Sequence, residues 1–84
     1  MTVADMLALL RGHAVPAAFY VTDGGLGDGE CVGIEQAADG WRLYYSERGA
    51  KSPLGTFASE DAACRAMMVR IDGMLRQSGL PPLG

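Results

Sequence analysis

The chain has 84 residues and a mass of 8.8 kDa, room for one hydrophobic core and no second domain. Hydrophobic residues make up 49% and charged residues 20%, enough apolar material for a packed interior, so the composition excludes a disordered chain. Ten acidic against seven basic residues leave a net charge of −3, which argues against a nucleic-acid binder needing a basic face and favours a basic partner.

The opening run MTVADMLALL lacks the positive region of a signal peptide, carries Asp5, and is short and broken in its apolar character. No segment reaches the roughly 18 consecutive apolar residues of a membrane span, so a cytoplasmic protein without a membrane partner is expected. Thr2 and Asp5 have the spacing of a capping box. Val3, Met6, Leu7 and Leu10 follow at helical spacing, and Arg11-Gly12 supplies a basic last turn and a C′ glycine, which predicts a helix over 3–11.

Val15-Pro16 is extended because proline disfavours the helical region for the residue before it, and AAFYVT then offers a short strand. DGGLGDGE, residues 23–30, places four glycines among three carboxylates and reads as a flexible loop. CVGIEQ is a second strand, AADG a hairpin turn, and WRLYYSE the strongest strand in the chain. Its alternation sets Trp41, Leu43 and Tyr45 on a core face and Arg42, Tyr44 and Ser46 on the opposite, outer face. RGAKSP turns the chain again, and LGTFA adds one more strand.

Ser59 is a suitable N-cap, with Glu60 and Asp61 in a first turn where negative charge suits the helix dipole. Cys64, Met67, Met68, Ile71, Met74 and Leu75 form one apolar stripe opposite Arg65, Asp72 and Arg76. Gly73 interrupts the stripe, consistent with a close approach to the sheet. The tail GLPPLG, residues 79–84, stops the helix and is expected to fray. The expected fold is α+β: one domain over 1–84, a small antiparallel meander of three or four strands packed by an N-terminal and a C-terminal helix.

The chemistry-bearing motifs fail in detail. Gly25-x-Gly27 would need a third glycine where Glu30 stands, and no P-loop lysine follows any glycine. A calcium loop starting at Asp23 would need oxygen-bearing side chains at Gly25 and Gly27. Cys31 and Cys64 have neither C-x-x-C spacing nor a disulfide framework, and each reads as a small buried apolar residue. His13 is the only histidine, and Ser46 lacks the G-x-S-x-G elbow. No catalytic residue, cofactor or metal is therefore expected, and the chain reads as a non-enzyme.

The run Gly40-Trp41-Arg42-Leu43-Tyr44-Tyr45-Ser46-Glu47-Arg48-Gly49, followed by Phe57-Ala58-Ser59-Glu60 and Ala63-Cys64, resembles a family of small bacterial immunity proteins. These are encoded beside secreted polymorphic toxins, in particular NAD-degrading effectors. The resemblance covers about the last two thirds of the chain and includes the acidic group before the first hairpin. It implies a non-catalytic protein that binds a cognate toxin effector, an NAD glycohydrolase among the candidates, and occludes its active site. Asp23, Asp28, Glu30, Tyr44, Ser46, Glu47 and Arg48 are the toxin-facing candidates, because acidic side chains can compete for the positive field of a phosphate-binding cleft and Tyr and Arg favour interface centres. The alternative is a small adaptor or chaperone-like interaction domain with no inhibitory role. For Glu47, Arg48 and Tyr44 the competing reading is structural, an ion pair at a hairpin end and cover for a second apolar patch.

Overall fold

The computed structural model describes residues 1–27 and 29–83. Helix α1 (Val3–Gly12) is followed by a 3-10 turn at Ala17–Phe19 and strands β1 (Tyr20–Val21), β2 (Cys31–Ala37), β3 (Gly40–Glu47) and β4 (Ala50–Phe57). Helix α2 (Glu60–Gln77) closes the order. The four strands form one sheet in the order β1-β2-β3-β4. The α+β class and the two helices are as expected, but the sheet is mixed: β1 runs parallel to β2, while β2, β3 and β4 are antiparallel. A meander would require a hairpin between β1 and β2. Here the chain leaves β1 after two residues and crosses the sheet before starting β2 in the same direction.

Both helix N-termini follow from local chemistry. Asp5 N–H donates to Thr2 Oγ1 at 3.1 Å and Thr2 N–H to Asp5 Oδ2 at 3.0 Å, the reciprocal capping box. Ala62 N–H donates to Ser59 Oγ at 3.1 Å. The first-turn carboxylates of α2 also reach the neighbouring helix: Val3 N–H donates to Glu60 Oε2 at 2.8 Å, and the Met1 ammonium to Asp61 Oδ1 at 2.8 Å. Glu60 thus satisfies one of the amide donors that α1 cannot pair internally.

The C-termini differ from expectation. Gly12 lies inside α1, the C-cap is His13, and the left-handed C′ residue is Ala14 with φ 55. Ala14 N–H donates to Arg11 C=O and Val15 N–H to Leu10 C=O, both at 3.0 Å, the two bonds of a Schellman motif. Burial of Leu10 and Val15 selects this register, since it brings the C3 and C″ side chains together in the core. α2 ends in the same motif with a glycine: Gly79 has φ 73, Gly79 N–H donates to Arg76 C=O and Leu80 N–H to Leu75 C=O at 2.8 Å. Beyond it the tail does not simply fray, because Leu83 N–H donates to Asp72 Oδ1 at 2.8 Å and the Leu83 side chain packs against the core. Gly84 lies outside the described residues.

Both helices lie on one face of the sheet. Met6 and Leu10 of α1, Met67, Ile71 and Leu75 of α2, and Val32, Ile34 and Leu43 of the strands form the core. Each such side chain contributes on the order of 1.5–3 kcal/mol by leaving water. Val32 pairs with Tyr45 and Ile34 with Leu43, so the strand alternation does place Trp41, Leu43 and Tyr45 toward the helices. Only Leu43 is fully buried, however, and Trp41 and Tyr45 are half-buried at its flanks. Gly73 is exposed and a Cβ there would meet nothing within 4 Å, so close approach to the sheet is not its role.

Candidate functional site

The opposite face of the sheet is covered by the chain itself. Between β1 and β2 the segment Thr22–Gly27 folds as a strap over the back of β2 and β3, held by three side chains that point away from the helices. Tyr44 O–H donates to Gly25 C=O at 2.6 Å, Gly27 N–H donates to Ser46 Oγ at 3.4 Å, and Lys51 Nζ donates to Gly24 C=O. Asp23 fixes the bend, its Oδ1 accepting from Gly25 N–H at 2.9 Å, while Gly24 takes φ 80. Glycine is required here for a packing reason as well. A Cβ at Gly33 would overlap the Tyr44 ring at Cζ and its hydroxyl, and a Cβ at Gly27 would overlap Cys31 Sγ.

Charge is organised around the same ring. Lys51 Nζ stands 4.5 Å from the Tyr44 centroid, within cation–π range, and 3.3 Å from Glu35 Oε2. Arg42 Nη1 approaches Glu35 Oε1 at 3.5 Å from the next position on β3. Burial, reinforced by the negative charge of Glu35 and by Cys31 and Asp23, pushes the Tyr44 hydroxyl up to about 12, so it remains a proton donor to Gly25 throughout the ordinary pH range.

The far end of the β3–β4 hairpin is built differently. Glu47 pairs with Ala50, leaving Arg48 and Gly49 as a two-residue turn with φ of 53 and 78. Positive φ at both central residues is the mirror-image turn whose twist matches the flanking strands. Lys51, Ser52 and Pro53 belong to β4 and not to a turn, so RGAKSP turns only at its first two residues. Glu30 immediately precedes Cys31, which pairs with Ser46, so its carboxylate comes to the same end of the sheet as Glu47. Partial burial, then the Glu30 carboxylate and Glu47, hold the Tyr45 phenol above its ordinary range. Among the described residues, none of Glu30, Glu47 and Arg48 forms an ion pair, so the Glu47–Arg48 pair of the competing structural reading is not made.

The seven toxin-facing candidates therefore separate into groups. Tyr44 and Ser46, expected on an outer face, are each 1% exposed and occupied in holding the strap. Alternation placed them on the correct side of β3, but that side is not solvent. Asp23 is exposed at the start of the strap, whereas Glu30, Glu47 and Arg48 gather at the hairpin end with Glu30 and Arg48 exposed. Asp28 lies outside the described residues. Sequence reasoning missed Lys51 and Glu35, which complete the fastening of the strap. The available signal was Gly33 opposite Tyr44 in a two-strand register, a small residue facing a large flat one.

Among the described residues, no helix is long and apolar enough to cross a membrane. No protein-family model, curated protein or solved structure matches the chain.

Proposed function

We propose that the chain is a non-catalytic immunity protein that neutralises a cognate toxin effector by stoichiometric binding in the producing cell. An NAD glycohydrolase whose active site is occluded is the first target to test. The observation that carries this reading is the hairpin end: Arg48 projects from a two-residue turn of fixed backbone beside Glu47, with Glu30 arriving from the neighbouring strand. The two-residue turn fixes the backbone from which Arg48 extends, so less backbone freedom is lost on binding. Two carboxylates beside it suit a partner surface with a positive field, in keeping with the net charge of −3. The resemblance of Gly40–Gly49 to immunity proteins supports the same conclusion from the sequence side.

The contact set proposed is accordingly Glu30, Glu47 and Arg48, with Asp23 as a peripheral charge, and without Tyr44 and Ser46. Co-expression with the candidate toxin while cellular NAD is measured tests the function. Preservation of NAD by the wild-type chain, lost in a Glu30→Lys, Glu47→Lys double variant that still folds, is the expected result. NAD loss undiminished by the wild-type chain sinks the proposal, and full protection by the double variant moves the contact elsewhere.

A further inference from the structure

The strap is fastened to the sheet mainly by polar contacts. Leu26, its one large apolar side chain, is 51% exposed and adds little burial. The strand that leads into the strap is two residues long. Three of its six residues are glycine, whose backbone regains the most freedom on release. The groups beneath it include the Tyr44 hydroxyl and Ser46 Oγ, which can bond to water once uncovered, whereas lifting α2 would expose Met67, Ile71 and Leu75. Lifting the strap is the cheaper opening, and the helix face can stay packed through it.

One charged group grips the strap and its bed together. Lys51 Nζ donates to Gly24 C=O, stands 3.3 Å from Glu35 Oε2 and lies 4.5 Å from the Tyr44 centroid. Glu35 reaches the underside of the strap, since a Cβ on Gly24 would come within 3.1 Å of Glu35 Oε2. Tyr44, under the same ammonium, makes the 2.6 Å bond to Gly25 C=O. Arg42 Nη1 also approaches Glu35, at 3.5 Å from Oε1, but among the described residues it makes no bond to the strap. The Lys51 side chain is 37% exposed, so the group that holds the strap is itself open to solvent.

We propose that the strap is a latch that opens as a unit while both helices stay packed, with the Lys51 ammonium as its catch. Closed, it hides the back face of β2 and β3; open, it presents Tyr44, Ser46 and Cys31 to solvent on a folded chain. The latch needs no partner, so it holds whether or not the hairpin end binds a toxin.

Cys31 and Cys64 report on the two faces, one under the strap and one on the core-facing side of α2. The full chain is labelled with a thiol reagent across sub-denaturing urea, each rate referred to that of the unfolded chain. Cys31 is expected to label at least about tenfold faster than Cys64, with a rate that urea barely changes, because opening the strap uncovers little surface and reaching Cys64 needs global unfolding. Equal rates that rise equally with urea overturn the latch, since the strap and the helices then open together. Lys51→Met keeps the stem and removes the charge. It should speed Cys31 labelling by about fivefold or more, with faster exchange at the Gly27 amide. Raised salt should act in the same direction on the wild-type chain and little on Lys51→Met. Unchanged Cys31 labelling in a folded Lys51→Met variant removes the catch and overturns the proposal, and the wild-type urea series tests the latch without any variant.

Discussion

The two faces of the sheet are both closed, by opposite means. On one, Met6, Leu10, Met67, Ile71 and Leu75 cover Val32, Ile34 and Leu43 with aliphatic surface, and the stabilisation is non-directional burial. On the other, a segment with three glycines in six residues lies against Gly33, Tyr44, Ser46 and Cys31, and its position depends on a few directed hydrogen bonds. The helix face should tolerate exchange among residues of similar volume, whereas the strap face tolerates little, because each bond has one geometry. A face closed this way also needs no second layer of helices, which is how 84 residues bury both sides of β2 and β3.

The sharpest contrast is expected from truncation at the centre of the helix face. Leu43→Ala should cost about 2–5 kcal/mol and lower the midpoint of a single cooperative unfolding transition in denaturant. Gly33→Ala should cost about 1–3 kcal/mol through overpacking against the Tyr44 ring, and its effect should be local. Labelling with a thiol reagent tells the two apart: Cys31, under the strap, should become reactive while Cys64, on the core-facing side of α2, stays protected. Equal reactivity of both thiols in Gly33→Ala would mean that the strap and the helix layer unfold together and that the contrast between the faces is false.

Tyr44→Phe keeps the ring over Gly33 and deletes only the bond to Gly25 C=O, for an expected loss of about 1 kcal/mol and faster amide exchange at Gly24–Gly27. Ala14→Gly should act in the other direction, gaining about 0.5–1 kcal/mol by relieving the left-handed backbone at the end of α1, visible as a higher melting temperature. The smallest effect concerns the tail. Hydrogen bonds from Arg76 and from Leu83 N–H hold the Asp72 carboxyl below its ordinary value of 3.8. A folded value below the unfolded one adds stability that is complete above 3.8 and is lost as pH falls through the folded value. Acidification below that point should therefore release Leu83 from α2 before the core melts, and Asp72→Asn should weaken the pH dependence of the Leu83 amide signal.

Much of the architecture was legible in the sequence because it rests on short-range chemistry. Thr2 with Asp5, Ser59 with the amide three residues on, and the three-and-four stripe from Cys64 to Leu75 involve partners within a turn or two. The period-two pattern of β3 likewise sorted its side chains correctly between two faces. What the pattern could not say is which face meets water. Tyr44 and Ser46 read as outward because a polar alternation beside an apolar one ordinarily marks a solvated face, and the segment that covers them is 19 positions away.

Local composition therefore settled the helices, their N-terminal caps and the side on which each strand residue stands. Tertiary structure decided the rest: the parallel entry of β1, the left-handed Ala14 and the burial of Tyr44. For Ala14 the physical reason is the joint burial of Leu10 and Val15, and for the entry of β1 and the burial of Tyr44 it lies in the glycine-rich segment after β1. A glycine-rich segment carries little side-chain information of its own, so its path is set by the distant groups that accept or donate to its backbone, and those groups come together only once the sheet has formed.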